Sequence, residues 1–293
     1  MLKSRPPARL VPIYGLLALL TVALGCLVCA LSGVPTGSWL RNLIAWGVGA
    51  AAAGGLALTA GRRTALVLLG VAVVGLGASL AGMPQDGVHR WLDIGPLHIN
   101  VAFIVLPAAV VAVAWNRERL WVWGLAIGLM GLLVLQPDAS QATALGLALG
   151  VIAVRAPLST RARFGIIGIT TALLVAAWLR PDPLEAIPEV EGIVMLAAAV
   201  TPGLALLAVG MLIATALAPA LVARTSGGGG QTGGLALSAY CLATVGTPLF
   251  GAFPVPLLGI GMSPVFGFWL GVGLLAARLR PGSGPAASPG SGS

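Results

Sequence analysis

Residues 13–31 read IYGLLALLTVALGCLVCAL, an apolar run without a charged side chain. A helix needs about 20 such residues to cross the hydrocarbon core of a bilayer. The run is preceded by three basic residues, Lys3, Arg5 and Arg9. A signal peptide has such a basic region before its hydrophobic core, but here more apolar runs follow. We therefore predict that it stays in the membrane as a signal anchor and forms the first of several spans.

The rest of the chain repeats this pattern. Hydrophobic residues make up 58% and charged residues 8% of the 293, and the mean hydropathy is +1.02. Charges, prolines and glycines separate about ten apolar segments, which cover approximately residues 13–31, 40–60, 64–82, 98–115, 120–135, 139–154, 164–179, 192–222, 235–250 and 264–277. We predict an all-α polytopic membrane protein with one bundle of about ten transmembrane helices over residues 13–278. Pro202 or Pro219 is expected to interrupt the long eighth segment.

Basic residues are divided unequally between the two sides of such a bundle. Alternating the loops places 13 of the 16 Lys and Arg on the side of the N-terminus, and Arg41, Arg90 and Arg180 on the other. Because cytoplasmic loops carry the excess of basic residues, residues 1–12 and the C-terminus are predicted to be cytoplasmic. This bias accounts for the net charge of +8, and the scattered basic residues do not indicate nucleic-acid binding.

Two segments have the composition of unstructured chain. Residues 226–234 are rich in glycine and are predicted to form a flexible cytoplasmic loop. Residues 279–293, which are almost entirely Pro, Gly, Ser and Ala, are predicted to be a disordered tail.

The eight acidic residues are divided in the opposite sense. Only Glu118 falls on the cytoplasmic side, and seven fall in outer loops: Asp86, Asp93, Asp138, Asp182, Glu185, Glu189 and Glu191. Because acids contribute little to membrane orientation, this distribution indicates an outer surface or cavity that is used in recognition or chemistry.

The first of these outer loops contains GVHRWLDIGPL at residues 87–97. On a helical turn Arg90 and Asp93 could pair, and Trp91 suits the membrane interface. Two interpretations remain open: an interfacial anchor with its own ion pair, or an arginine that binds a phosphate or diphosphate through its planar guanidinium. Another outer connection is the turn Gln136-Pro137-Asp138, where Asp138 is placed to cap a helix and could also orient a functional arginine.

The loop RPDPLEAIPEVEG at residues 180–192 holds four acids. In an extended chain Glu189 and Glu191 would face the same way. They could bind a divalent cation, supply a general base or belong to a solvated loop, and the residues leave these alternatives open. His89 and His98 show no metal-ligand spacing, and His98 is predicted to lie at a helix start.

The connection at residues 251–264, GAFPVPLLGIGMSP, carries no charge. Irregular backbone at membrane depth is tolerated where it lines a cavity or is covered by protein. We predict a re-entrant or cavity-lining loop, the alternative being a hydrophobic loop in the membrane interface.

Four stretches stand in the order of motifs of a known family. They are RWLDIGPL at 90–97, LQPD at 135–138, IPE at 187–189 and residues 253–263. They resemble the RW-x-x-LG-x-L, QPD, LPE and P-x-x-G-x-x-x-P-x-x-S motifs of the SEDS (shape, elongation, division and sporulation) proteins, the FtsW/RodA/SpoVE family. The resemblance spans most of the chain. It implies a ten-span protein of the bacterial inner membrane, in a family many of whose members polymerise peptidoglycan strands from lipid II.

The sequence also departs from the family pattern. Residues 100–103 are NVAF where the family has QPSE, so the glutamate of that motif is missing. Residues 139–141 are ASQ where the family has LGT. SPVF at 263–266 replaces SYGG. The loop between the seventh and eighth spans is short, and no Asp follows Pro188-Glu189, with only Glu191 nearby. The order of the motifs resembles the family, but many of the residues that the family's polymerases carry in these motifs are missing.

The resemblance implies three functional hypotheses. The first is a glycosyltransferase acting on an undecaprenyl-linked sugar such as lipid II, with Glu191 or Glu189 as the base and a substrate site that comprises Arg90, Trp91, Asp93, Gln136, Asp138 and Ser263. The second, favoured by the missing motifs, is a non-catalytic partner or regulator of a membrane-anchored cell-wall synthesis protein in cell division or cell-shape control. A flippase or transporter has less support, because intramembrane charges are almost absent. No metal site or cofactor is assigned, and a divalent cation remains open; membrane lipids are expected partners.

Overall fold

The protein is an all-α bundle with one short antiparallel ribbon, as seen in a computed structural model that describes residues 6–95 and 97–280. Its eleven described helices cover Pro6–Leu31 (α1), Thr36–Thr59 (α2), Arg62–Ser79 (α3), Val101–Trp115 (α4), Leu120–Leu135 (α5), Ala139–Arg155 (α6), Thr160–Trp178 (α7), Ile193–Val200 (α8), Pro202–Ala223 (α9), Gly228–Gly246 (α10) and Met262–Arg278 (α11). The ribbon consists of Trp91–Ile94 (β1) and Leu97–Asn100 (β2). Most of the predicted tail, from residue 281 onward, lies outside the described residues.

The helices confirm the predicted class of polytopic membrane protein. Five of them, α1, α2, α3, α7 and α9, are long and apolar enough to cross a membrane, and α4, α5, α6 and α11 are shorter apolar helices. Together with α10, these make ten helices of at least 15 residues in the described part of the chain. The first begins at Pro6, ahead of the apolar run that starts at Ile13.

Helices α4 and α11 form the centre of the bundle. Thirteen of the 15 residues of α4 and 13 of the 17 residues of α11 are buried. At about 1.5 Å per residue, α4 is shorter than the roughly 30 Å hydrocarbon core of a bilayer. The β-ribbon precedes α4, and the irregular residues 251–261 precede α11. Each central helix is therefore preceded by non-helical backbone that can line a cavity.

The predicted eighth segment is divided into α8 and α9. The hydroxyl oxygen of Thr201 accepts a hydrogen bond from the Leu204 N–H at 3.1 Å, and Pro202 occupies the first turn of α9. Proline suits that position because the first N–H groups of a helix have no partner within it. The interruption expected at Pro202 is confirmed, whereas α9 continues past Pro219 to Ala223.

The prediction of a flexible loop at residues 226–234 is wrong from Gly228 onward, where the chain forms the first turns of α10. Gly229, Gly230 and Gly234 are buried. A Cβ atom at Gly234 would lie 2.5 Å from the Cβ of Ala223 and 2.7 Å from the carbonyl oxygen of Pro219. Glycine here allows close packing of α10 on α9, a role that composition alone does not distinguish from loop flexibility.

The connecting segments gather at two ends of the bundle. The acidic end, formed by residues 80–95, 97–100, 136–138, 179–192 and 247–261, contains the seven acids assigned to the outer side. The basic end contains Glu118, which is paired with Arg62. Hydrogen bonds join the segments of the acidic end, including Ile260 N–H to the Glu189 carbonyl at 2.9 Å.

Candidate functional site

A cavity at the acidic end lies between the β-ribbon, the turn before α6 and the loops at residues 179–192 and 251–261. It has a larger part of about 270 Å³ and a smaller part of about 90 Å³. The residues that line both parts are Gln85, Trp91, Asn100, Phe103, Ile187, Glu191 and Pro254. Because the two parts share these walls, we treat them as one site and call it the outer cavity.

Arg90 stands at the wall of the smaller part, immediately before β1, with 3% of its surface exposed. One terminal nitrogen of its guanidinium donates to Asp182 Oδ2 at 2.6 Å and also to the Pro137 carbonyl oxygen. Its Nε lies 3.7 Å from Asp138 Oδ2 and has no hydrogen-bond partner among the described residues. Arg90 thereby joins the ribbon to the turn before α6 and to the proline-rich loop.

Asp138 caps α6, as its position in the sequence predicted. Its Oδ1 accepts hydrogen bonds from the Gln141 N–H at 3.1 Å and from the Ser140 hydroxyl at 3.0 Å. A carboxylate at this position also interacts favourably with the helix dipole. The second carboxylate oxygen faces Arg90, so that the side chain both caps a helix and holds the arginine.

The expected Arg90–Asp93 pair is wrong, because the segment forms a β-ribbon and not a helical turn. Asp93 is opposite His98 in the ribbon, and its Oδ1 lies 2.6 Å from His98 Nδ1 on an exposed surface. The ring of Trp91 stacks on His98 with centroids 5.4 Å apart. Gly95, with φ +59°, turns the ribbon, and this glycine is the sequence signal for a turn.

The placement of His98 at a helix start is also wrong, since it lies within β2 and α4 begins at Val101. Asn100 caps α4 by accepting a hydrogen bond from the Phe103 N–H at 3.2 Å. Its own N–H donates to the Ser263 hydroxyl at 3.0 Å. Asn100 and Ser263 therefore join the starts of the two central helices at the wall of the larger part of the cavity.

Gln136 is not among the residues that line the outer cavity. It is fully buried, and its Nε2 donates to the Leu76 carbonyl oxygen at 3.0 Å and to the Ser79 hydroxyl. These bonds connect the end of α5 to the end of α3. The structure thus gives Gln136 a packing contact between helices and places it outside the site predicted from the sequence.

Glu191 and Glu189 do not face the same way, because residues 188–191 form a turn and not an extended strand. Glu191 lines both parts of the cavity, whereas Glu189 lines neither. The Oε2 of Glu191 accepts a hydrogen bond from the Ile187 N–H at 2.8 Å. Burial raises the pKa of the Glu191 carboxyl above its ordinary value, and this backbone hydrogen bond opposes the increase.

Asn42 is a functional candidate that the sequence analysis did not identify. It is 2% exposed on α2, its Nδ2 donates to the Gly259 carbonyl at 2.9 Å, and its Oδ1 accepts from the Gly261 N–H at 3.0 Å. Both glycines line the larger part of the cavity. The available signal was that Asn42 is the one side-chain amide of α2. The loop at residues 251–261 lines the cavity, as predicted.

The acids of this end are spread over separate contacts. Asp182 bonds to Arg90, Asp93 pairs with His98, and Asp138 caps α6. Throughout residues 6–95 and 97–280, no three His, Cys, Asp or Glu side chains are grouped closely enough to hold a metal ion.

The bundle defines a polytopic helical membrane protein, and comparison with solved structures shows that its fold is similar to that of RodA. The crystal structure of a variant of the Thermus thermophilus rod shape determining protein RodA matches with a TM-score of 0.63 at 23% identity, over 91% of this chain and 96% of that one. The crystal structure of RodA itself gives a TM-score of 0.57 at 21% identity, over 91% and 95% of the two chains.

A chain from a structural study of polymerization and crosslinking by a peptidoglycan synthase complex matches with a TM-score of 0.60 at 22% identity, over 91% of this chain and 96% of that chain. No family model matches the sequence, and no curated protein matches it. At these identities the likeness establishes the fold.

Proposed function

We propose that this protein acts in peptidoglycan assembly in the bacterial inner membrane and binds a lipid-linked sugar diphosphate in the outer cavity. The observation that carries this proposal is the convergence of Arg90, Asp138 and Glu191 on the smaller part of one cavity. These three residues come from separate segments of the chain. Their convergence brings a cation, its orienting carboxylate and a second carboxylate together, in a fold shared with RodA.

The proposed chemistry is glycosyl transfer. A hydroxyl of the acceptor sugar attacks the anomeric carbon of the donor, the bond from that carbon to the diphosphate breaks, and the hydroxyl proton passes to Glu191. Arg90 binds the departing diphosphate through its guanidinium, and Asp138 keeps the guanidinium in place. A half-buried carboxyl with a raised pKa has the character of a general base.

Two observations favour a second candidate, a non-catalytic partner that keeps the fold. Arg90 already lies between Asp138 and Asp182, and the carboxylate of Glu191 accepts the Ile187 N–H. Both groups therefore have partners that a substrate would have to displace. In this alternative the protein binds a membrane-anchored cell-wall synthesis protein, since one structural neighbour comes from a peptidoglycan synthase complex.

The two candidates are distinguished by Glu191→Gln in an assay of polymerisation of labelled lipid II, with and without a partner synthase. If Glu191 is the base, product formation falls about 10²–10⁴-fold, the usual contribution of general base catalysis. Asp86→Asn is the matched control, because Asp86 is an exposed acid of the same end that lines neither part of the cavity. A wild-type protein that makes no product with or without the partner would exclude the enzyme; lipid II binding would then test the remaining site.

The rate of polymerisation is expected to rise with pH. The inflection of the pH profile should lie above the ordinary pKa of a glutamate, which is about 4.3. The direction follows because burial raises the pKa of Glu191, so that the carboxyl stays protonated, and inactive as a base, to a higher pH. Glu189→Gln removes a nearby negative charge that also raises this pKa and should move the inflection to lower pH. If this substitution leaves the inflection unchanged, the rise of the rate with pH is not due to ionisation of Glu191.

A further inference from the structure

A second cavity, separate from the outer one, is an apolar groove between α6, α7, α9 and α10. It encloses about 770 Å³, a volume typical of sites that hold small organic ligands. Twelve of its 16 lining residues are aliphatic, alanine or glycine, and the other four are Arg155, Thr170, Thr171 and Ser238. The composition suits a hydrocarbon chain.

The groove extends from the basic end past the middle of the bundle. Helix α6 starts at the acidic end and reaches the basic end at Arg155, and its contribution to the groove runs from Gly146 to Arg155. On α7, which starts at the basic end, the lining residues fall between Ile167 and Leu174. By the positive-inside rule the end of the groove at Arg155 lies in the cytoplasmic leaflet.

The mouth of the groove carries positive charge without a balancing carboxylate. The side chain of Arg155 makes no hydrogen bond or ion pair with the residues that the structure describes, and Arg155 is exposed. A second arginine of this end, Arg117, does not line the groove, and its Nη1 donates to the Ala114 carbonyl oxygen at 3.2 Å. Glu118, the acid of this end, is paired with Arg62.

We propose that this groove binds one acyl chain of an anionic glycerophospholipid from the cytoplasmic leaflet, with the lipid phosphate held by Arg155. The surrounding bilayer supplies such lipids, and basic pockets between transmembrane helices on the cytoplasmic side bind anionic headgroups. The charge of the mouth selects an anionic lipid over a zwitterionic one. This site is independent of the outer cavity and of the function proposed for it.

The test measures lipids retained by the purified protein in native mass spectrometry, with phosphatidylglycerol and phosphatidylcholine titrated separately. The wild type is expected to retain phosphatidylglycerol preferentially. Arg155→Gln should weaken that binding about fivefold, the equivalent of about 1 kcal/mol per arginine, and leave phosphatidylcholine unchanged. Equal binding of the two lipids by the wild type would overturn the proposal.

A second variant tests the groove itself. A Cβ atom at Gly150 would meet no atom within 4 Å, so Gly150→Leu can place a larger side chain in the groove and should abolish preferential retention of phosphatidylglycerol. Gly168→Leu is the matched control, because Gly168 is an exposed glycine of α7 outside the groove, also with no atom within 4 Å. Retention that survives Gly150→Leu, or wild-type retention of undecaprenyl phosphate in place of phosphatidylglycerol, would show that the groove does not hold a phospholipid.

Discussion

Replacing Arg90 with glutamine is expected to destabilise the protein by about 3–5 kcal/mol, the usual effect of removing one partner of a buried ion pair. Arg90 is 3% exposed and Asp138 is 2% exposed. Without the guanidinium, the Asp138 carboxylate would stay buried beside Asp182 with no cation between them. The free energy of unfolding in detergent measures the effect, and lipid II binding by the fraction that folds measures the loss of the diphosphate contact.

Two further variants separate the effect of Arg90 on stability from its effect on lipid II binding. Arg180→Gln removes an exposed arginine of the same end and should change the free energy of unfolding by less than about 1 kcal/mol. Adding Asp138→Asn to Arg90→Gln removes the buried unpaired charge and should restore part of the stability without restoring lipid II binding. An Arg90→Gln protein as stable as the wild type would contradict the buried ion-pair network. Restored stability together with wild-type binding would show that Arg90 acts only as a structural anchor.

Replacing Gly267 with leucine is expected to prevent the central helices from packing. A Cβ atom there would lie 1.9 Å from the Phe103 carbonyl oxygen and 2.7 Å from the Ile104 Cα atom, both of them backbone atoms of α4. That carbonyl has no helical N–H donor four residues later, because residue 107 is proline. Adjusting a side chain cannot relieve the contact, so α4 and α11 would have to separate, and we expect little monodisperse protein on size-exclusion chromatography.

Gly128→Leu provides the control, because Gly128 is an exposed glycine of α5 and a Cβ atom there would meet no atom within 4 Å. It should elute as the wild type does. Gly267→Ala should give an intermediate result: alanine is favoured over glycine within a helix by about 1 kcal/mol, but its Cβ meets the same backbone. A Gly267→Leu protein that folds normally would show that α4 and α11 are farther apart than described.

Long-range contacts at the candidate site could not be derived from local sequence patterns. Asp138 could be assigned as a helix cap because capping depends on neighbours within the same turn. Arg90 could be recognised as an unusual outer arginine, but its bond to Asp182 joins residues 92 positions apart. A helical turn at residues 90–93 would have paired Arg90 with Asp93. The turn at Gly95 instead produces the β-ribbon, in which Asp93 is opposite His98.

The membrane class, the number of long helices and the separation of acidic from basic ends follow from the sequence by itself. Apolar length, charge and proline position act locally or through the bilayer, and each leaves a trace in the order of the residues. The tertiary structure alone decided which side chains meet. It brought Glu191 and not Glu189 to the cavity, placed Gln136 between helices and showed that buried glycines allow α10 to approach α9. Such contacts depend on which helix faces are neighbours, and that is a property of the packed bundle.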